Sequence, residues 1–337
     1  MGKLGQIAGT VTLAATVVLG GSPTAAVAAE AAAGAAGRAG RTAAGAGLPG
    51  LVAFVRDGDV FVSKGPGEQR LTSGGGHARP RWSPDGRRLA VLKRGQVWVM
   101  RADGTGQRRL TTRPAGGPSW SPDGGWIAFA SLSCTGGPGV YRISATAENA
   151  RPEVLFPRDC RGAELPEETT AGPVTGSLRE RLQYDNAVAW SPDGARVAFR
   201  GGDCESVYDA CLSIGTVATG EERTVAAFGG GGSQNRGFAA VPSWRPDGAR
   251  LSWTAYQEGE TATENRPVHL VEYDTATGTE RTVGGTLDRE LAYVDAGRAV
   301  VTSRNNKGSW LTVLSLADGS RTLLRSGSQP SVQPLPH

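Results

Sequence analysis

The chain has 337 residues and a formal net charge of +4, from 36 basic and 32 acidic side chains. It is rich in glycine, with 50 residues, and has no long helical repeat of apolar positions, which favours an all-β chain over a helical bundle. No run of lysine and arginine is interleaved with aromatic residues, so the composition argues against nucleic-acid binding.

Residues 1–28 have the features of a secretory signal peptide. Lys3 precedes an apolar run over residues 7–19, which is too short to span a bilayer, and Ala26-Val27-Ala28 matches the A-x-A cleavage pattern. Residues 29–49 are dominated by alanine and glycine, which predicts a disordered linker. We therefore expect export to a secreted or periplasmic-type compartment, no transmembrane segment, and a folded domain over residues 50–337.

A five-residue motif recurs along that domain. Trp-Ser-Pro-Asp-Gly begins at Trp82, Trp120 and Trp190, and Trp-Arg-Pro-Asp-Gly begins at Trp244. Proline presets φ at the second turn position, and aspartate and glycine suit the third and fourth positions. Each motif therefore predicts a tight turn between two antiparallel strands, and its recurrence indicates a repeat architecture in which these residues are structural.

Each complete repeat is predicted to form four antiparallel strands, A to D, with the tryptophan at the end of strand A. A fifth repeat is degenerate and has Tyr293 in place of the tryptophan. The predicted strands are residues 79–82, 89–93, 97–100 and 108–111; 118–120, 126–131, 140–143 and 153–156; 188–190, 196–200, 212–217 and 223–228; 242–244, 250–256, 268–273 and 281–283; and 291–293, 299–303, 310–316 and 321–324.

Two partial repeats remain at the ends of the domain. Residues 51–55, 60–62 and 69–72 have the pattern of strands B, C and D, whereas residues 330–334 resemble residues 118–122 and have the pattern of a strand A. Joined, they make a sixth repeat. Four-stranded sheets arranged radially close into a ring that leaves only short strand edges. The predicted fold is an all-β, six-bladed β-propeller with one blade closed by strands from both termini.

The repeats over residues 51–334 resemble the PD-type repeats of the TolB-like six-bladed propellers. The resemblance implies an exported protein that acts by binding. Related propellers precede a serine-hydrolase domain in prolyl-oligopeptidase-like enzymes, but the sequence contains no Gly-x-Ser-x-Gly elbow.

Four cysteines in an exported chain predict two disulfides, for which three pairings exist. Cys204 and Cys211 flank one short loop, and Cys134 and Cys160 flank one repeat. We therefore predict the pairs Cys134–Cys160 and Cys204–Cys211. No Cys-x-x-Cys motif supports a thioredoxin-like or zinc site.

The longest loops are B–C loops and D–A connections, which leave an antiparallel blade at the same edge. Loops on a rigid scaffold are common recognition sites, so we predict a binding surface on that face. A charged loop residue is also often merely solvated, which is the alternative for every candidate. The candidate ligand-binding residues are His77, Arg158, Asp159, Asp185, Asp203, Asp209, Arg236 and Arg266, with Glu205 and Glu258 beside them.

No metal, cofactor or catalytic residue is assigned. Asp203, Glu205 and Asp209 offer oxygen ligands for a cation, but their spacing matches no known cation-binding loop. The only histidines are His77, His269 and His337, and no nucleophile–base pair is recognisable.

Two functions are compatible with these features. The first is a secreted, non-catalytic binding module, expected to be monomeric, that recognises a protein or a cell-envelope glycan through the loop-rich face. The alternative is a propeller enzyme that acts on a carbohydrate or similar substrate in the central channel, where two carboxylates would suffice. A third, weaker interpretation is a purely structural role.

Overall fold

The Ser/Arg-Pro-Asp-Gly turns reverse the chain between strands A and B, so each repeat folds back into one sheet. The computed structural model of the chain describes residues 47–163, 186–202, 210–228, 235–258 and 266–334. These residues form six four-stranded antiparallel sheets, the blades of a β-propeller. The predicted all-β, six-bladed fold is therefore confirmed.

The blades are numbered from the N-terminus. Blade 1 contains β1 (Val52–Arg56), β2 (Asp59–Lys64) and β3 (Gly67–Arg70), and blade 2 contains β4 (His77–Trp82), β5 (Arg88–Lys93), β6 (Gln96–Arg101) and β7 (Arg108–Arg109). Blade 3 contains β8 (Ser119–Trp120), β9 (Trp126–Leu132), β10 (Pro138–Ser144) and β11 (Glu153–Phe156), followed by a 3₁₀ helix (Arg158–Cys160).

Blade 4 contains β12 (Ala189–Trp190), β13 (Arg196–Arg200), β14 (Ala210–Thr216) and β15 (Glu222–Phe228). Blade 5 contains β16 (Asn235–Trp244), β17 (Arg250–Glu258), β18 (Arg266–Asp274) and β19 (Glu280–Val283). Blade 6 contains β20 (Asp288–Tyr293), β21 (Arg298–Asn305), β22 (Gly308–Ser315) and β23 (Arg321–Ser326). The last strand, β24 (Ser328–Val332), joins blade 1 in the order β24-β1-β2-β3.

The turns between strands A and B are held by side chains of the repeated motif. In blade 2 the Ser83 hydroxyl accepts a hydrogen bond from the Arg88 N–H (2.9 Å), and the Asp85 carboxylate accepts one from the Arg87 N–H (3.1 Å). Gly86 has a φ of 66°, a left-handed conformation that strains most other residues. The motif thus fixes both the turn and the first pairing of strand B.

The recurring tryptophan joins neighbouring blades. Trp120 Nε1 donates to the carbonyl of Arg81 in the preceding blade at 3.0 Å, and Trp244 Nε1 donates to the carbonyl of Ala189 at the same distance. The Arg88 guanidinium lies 4.7 Å from the Trp120 ring centroid, which adds a cation–π contact. These two tryptophans therefore contribute to an interface between blades as well as to their own sheets, whereas Trp190 Nε1 donates to the carbonyl of Gly194 in its own turn.

Strand β24 takes the place of strand A in blade 1. It runs antiparallel to β1, with Val332 opposite Val52 and Ser331 opposite Ala53. The Ser331 hydroxyl also accepts a hydrogen bond from the N–H of Trp82 in blade 2 (3.2 Å). The C-terminal strand therefore has one partner in its own sheet and one in the next blade.

Several strand boundaries differ from the sequence-based prediction. The D strands of blades 1 and 2 were predicted to reach Thr72 and Thr111 but end at Arg70 and Arg109. The hydroxyl of each threonine accepts a hydrogen bond from a backbone N–H of strand C at 2.9 Å. This side-chain bond replaces the backbone hydrogen bond that would continue the pairing of strands C and D. In blade 5, β16 begins earlier than predicted and accommodates Pro242 within a register irregularity.

The predicted disulfide between Cys134 and Cys160 is present, with the two Cα atoms 5.5 Å apart. Cys211 is also disulfide-bonded. Cys204, its predicted partner, lies outside the described residues, as do the predicted signal peptide and most of the predicted linker. Within the described ranges, the chain contains no helix of the length and apolarity needed to cross a membrane.

Candidate functional site

Strand A of three consecutive blades carries a polar residue three positions before its end. These residues are Arg79 in β4, Glu290 in β20 and Gln329 in β24, and all have positive φ values, of 52°, 53° and 57°. Arg79 Nη1 lies 2.9 Å from Glu290 Oε1, and the side chains of this pair are only 4% and 9% exposed. A buried ion pair therefore links the inner strands of blades 2 and 6.

Gln329 connects this ion pair to blade 1. Its side-chain oxygen accepts the N–H of Arg79 at 2.7 Å, and its own N–H donates to Glu290 Oε2 at 2.9 Å. The Thr302 hydroxyl donates to the same carboxylate oxygen at 3.1 Å. Both oxygens of Glu290 are thus engaged by protein groups, which leaves this carboxylate poorly suited to act on a substrate.

The loop-rich face was predicted from the antiparallel order of the strands. Cys134 lies in the B–C loop of blade 3 and Cys160 lies just after its strand D, so their disulfide joins the two kinds of connection directly. The N–H of His77 donates to the carbonyl of Gly58, in the B–C turn of blade 1, at 2.8 Å. B–C turns and D–A connections therefore meet at one edge in both blades.

Asp59, at the start of β2, is a buried carboxylate that organises the connection from β3 to β4. Asp59 is not among the predicted site residues; its signal in the sequence is a charged residue directly before the apolar residues 60–62 of the same strand. Asp59 Oδ2 accepts a hydrogen bond from Arg70 Nη2 at 2.6 Å. Asp59 Oδ1 accepts hydrogen bonds from the Thr72 hydroxyl at 2.9 Å and from the Gly75 N–H at 3.2 Å. His77 Nδ1 also lies 3.2 Å from Oδ1.

His77 is only 4% exposed, and neither of its ring nitrogens makes a hydrogen bond of good geometry to a described residue, although Nδ1 faces Asp59. The Asp59 carboxylate beside Nδ1 favours the tautomer that is protonated there, so Nε2 carries the free lone pair. No described hydroxyl group bonds to Nε2, and the pair lacks the nucleophile contact of a hydrolase. The imidazole borders a cleft of about 370 Å³ that is also lined by Arg70, Ser73, Lys93 and Gln107.

The electrostatics of this cluster favour a neutral imidazole beside an ionised carboxylate. Burial lowers the pKa of His77, and the nearby Lys93 ammonium lowers it further, against a smaller opposite effect of Asp59. Burial alone would raise the pKa of Asp59, but hydrogen bonds from Arg70, Thr72 and Gly75 hold it below its usual value. With its proton on Nδ1, a neutral His77 can accept a hydrogen bond at Nε2 but cannot donate one there, so it would not hydrogen-bond to an anion.

Replacing His77 by asparagine is expected to weaken the dependence of the free energy of unfolding on pH below neutrality. The pKa of His77 in the folded protein is below its unfolded value of about 6.5. Between these two pKa values the unfolded chain binds more protons than the folded protein, so the free energy of unfolding rises with pH there. Denaturant unfolding at several pH values from about 5 to 7.5 measures this slope. An unaltered slope in His77→Asn would contradict the assignment.

Arg158 and Asp159 are exposed on the 3₁₀ helix after β11. A Cβ atom at Gly220 would lie 3.0 Å from Arg158 Cβ, which places this part of the helix against the C–D turn of blade 4. The two residues are therefore at the rim between blades 3 and 4, and His77 is at the junction of blades 1 and 2. The structure does not bring these three predicted residues together.

The other predicted site residues are less informative. Arg236 and Arg266 lie on β16 and β18, and Glu258 ends β17, with their side chains outside the described part of the structure. Asp185, Asp203, Glu205 and Asp209 lie outside the described residues, so the predicted surface on those loops stays a prediction.

Three clefts of related build lie between neighbouring blades in the described structure. Each is bounded by the end of strand D in one blade and the C–D connection of the next, and each contains arginine. Cleft 1–2 is the one bordered by His77; cleft 2–3, of about 400 Å³, lies between residues 108–113 and 149–152; and cleft 3–4, of about 440 Å³, lies between residues 152–155, Arg161 and Val217.

The blades, their inner network and their surface clefts define the protein as a six-bladed β-propeller. Its architecture is that of the TolB-like propellers. The chain is similar to TolB from Acinetobacter baumannii, with a TM-score of 0.64 and 16% identity over 86% of this chain and 67% of that one. It is also similar to a putative TolB from Agrobacterium tumefaciens, with a TM-score of 0.55 and 14% identity over 83% and 90% of the two chains.

Sequence comparison adds a partial match. No family model matches the chain. An uncharacterized peptidase, YuxL of Bacillus subtilis, is 30% identical over 154 residues, which are 40% of this chain. The match spans only 22% of the length of that curated relative, so its name describes that protein and not this chain.

Proposed function

We propose that the chain is an exported binding module that recognises a partner protein or a cell-envelope glycan through its loop-rich face. The observation that carries this proposal is the Arg79–Glu290 pair, whose carboxylate is already neutralised and hydrogen-bonded on both oxygens. An enzyme acting in the central channel would need carboxylates free to exchange protons or attack a substrate. The TolB-like fold and the disulfide further support a binding role in an oxidising, extracytoplasmic compartment.

The alternative, an enzyme acting on a carbohydrate or similar substrate, draws support from no particular group of described residues. His77 and Asp59 form a base-like pair, but Nε2 contacts no described nucleophile. An enzyme would have to use carboxylates on those parts of the B–C and D–A loops that lie outside the described residues.

A capture experiment tests the binding proposal. Mature protein immobilised on beads is expected to retain a partner from cell-envelope extract or from purified envelope polysaccharide. The Arg158→Ala/Asp159→Ala variant is expected to lose most of it, because both side chains are exposed and lie next to Cys160, whose disulfide to Cys134 joins a D–A connection to a B–C loop. The matched control is Arg87→Ala/Asp103→Ala, which removes one exposed charge of each sign from an A–B turn and a C–D turn. This control should still retain the partner.

Two outcomes would contradict the proposal. One is equal capture by the mature protein and by both variants, which would indicate adhesion without a defined surface. The other is turnover of a polysaccharide by the mature protein that is abolished when a loop carboxylate is replaced, which would favour the enzyme.

A further inference from the structure

Arginines of strand D are paired with buried carboxylates in three blades. Each of these carboxylates is less than 5% exposed, so the positive charge is compensated within the protein. The pairs are Arg70 with Asp59 in blade 1 (2.6 Å), Arg281 with Glu272 in blade 5 (2.6 Å) and Arg321 with Asp288 in blade 6 (2.6 Å).

Blade 2 departs from this pattern. The N–H groups of Val60 and Val97 each donate to a threonine hydroxyl at 2.9 Å, so the residues before them, Asp59 and Gln96, occupy equivalent positions. Where blade 1 has a carboxylate opposite its strand-D arginine, blade 2 therefore has an amide opposite Arg109. Arg109 forms no ion pair with any described residue.

Two further arginines add to this charge in cleft 2–3. Arg108 donates to the carbonyls of Ala145 and Ala147 in blade 3 at 2.7 and 3.2 Å, which fixes its guanidinium without neutralising it. Arg151 is exposed on the opposite wall of the cleft. Neither forms an ion pair within the described part of the chain, and no acidic residue lines the cleft. Three uncompensated guanidinium groups thus surround one space of about 400 Å³.

The remaining walls indicate the kind of ligand. Leu110 and Pro152, which are both partly exposed, give the cleft an apolar lining beside its arginines. β7 is the outermost strand of its sheet, so its outer edge faces away from the ladder and offers backbone groups to an added strand. A uniformly hydrophilic polyanion would leave the apolar walls unused, whereas an extended peptide with alternating acidic and aliphatic side chains would use both.

We propose that cleft 2–3 is a binding site for an acidic, aliphatic segment of a partner protein. Carboxylates of the segment pair with Arg109 and Arg151, because the planar guanidinium matches a carboxylate in two-point hydrogen bonding. Aliphatic side chains pack on Leu110 and Pro152. The proposal does not depend on what the loop-rich face binds.

Fluorescence anisotropy with a labelled peptide of alternating glutamate and leucine tests the site. The mature protein is expected to bind this peptide at low salt, and the Arg109→Gln/Arg151→Gln variant is expected to bind it about ten-fold more weakly or worse. Arg304→Gln/Lys307→Gln removes the same charge from exposed residues of blade 6 and should bind as the unmodified protein does. Thermal melts establish that all variants are folded.

A second variant tests the charge comparison between blades. The Gln96→Asp variant gives blade 2 the carboxylate that blade 1 has in Asp59. The new carboxylate should pair with Arg109 and so weaken peptide binding, although every arginine of the cleft is kept. Equal affinity of all variants, or equal binding of a peptide with glutamine in place of glutamate, would overturn the proposal. Tighter, arginine-dependent binding of linear polyphosphate would overturn the assignment to a peptide.

Discussion

Replacing Glu290 by alanine is expected to lower the free energy of unfolding by about 3–5 kcal/mol, because it leaves the Arg79 guanidinium buried without a counter-charge. For a domain of this size that corresponds to a fall in melting temperature of about 10 °C. The substitution also removes the acceptors for the Gln329 N–H and the Thr302 hydroxyl. Thermal and denaturant unfolding of the mature protein measure the effect.

Three variants separate charge from packing. Glu290→Gln keeps the shape but not the charge, so it should show most of the loss, whereas Arg79→Met/Glu290→Met removes both charges and should be more stable than Glu290→Ala. Glu221→Ala, at an exposed position, is the control and should lie within about 0.5 kcal/mol of the unmodified protein. A Glu290→Gln variant as stable as this control would refute the role of the ion pair.

The same carboxylate gives a pH dependence with a defined sign. Burial alone would raise the pKa of Glu290, but Arg79, Arg289 and the bonds from Gln329 and Thr302 together hold it below its usual value. Its contribution to stability is therefore complete above the unfolded pKa of about 4.3 and is lost as the pH falls through the folded value.

Deleting residues 328–337 is expected to lower the melting temperature by more than about 10 °C or to prevent soluble expression, because blade 1 loses its inner strand. The deletion exposes the edge of β1 and removes the hydrogen bonds that β24 makes to blade 2. Besides the Ser331–Trp82 bond, Gln333 Nε2 donates to the carbonyl of Gly86 at 2.8 Å. The shortened chain would keep every other blade but lose the strand that joins blades 6 and 2.

Deletion of residues 335–337 alone is the matched control and should leave the melting temperature unchanged. A synthetic peptide covering residues 327–334, added to the shortened protein, should restore part of the lost stability by re-forming the strand. A normal melt of the 328–337 deletion without peptide would show that the terminal strand is dispensable for the ring.

The sequence predicted much of the fold because local chemistry repeats. Each Pro-Asp-Gly turn needs only its own residues: a fixed proline φ, an aspartate that accepts nearby N–H groups and a glycine at positive φ. With the turns located, the strands between them follow. The boundaries that were wrong, at Thr72 and Thr111, depended on a side chain reaching across to strand C, which no local pattern reveals.

The candidate site was much less predictable. His77 is one of the predicted binding residues, but its surroundings depend on Asp59, a carboxylate from another strand that was not predicted. Arg158 and Asp159 lie on the 3₁₀ helix after β11, and the position of Arg158 at the rim follows from its proximity to Gly220 in another blade. These relations join residues far apart in the chain, so spacing alone does not encode them.

By itself, the sequence determined that the chain is an all-β repeat protein with six sheets, since turn chemistry and strand alternation act over a few residues. Only the tertiary structure decided which charges are compensated. Glu290 meets Arg79 across 211 residues of sequence because the ring brings separate blades together. In blade 2, by contrast, pairing of the strands leaves Arg109 opposite Gln96 and without the carboxylate that Arg70 finds in Asp59. Burial then makes the loss of either partner of the Arg79–Glu290 pair costly, whereas Arg109 is exposed and its charge is available to a ligand.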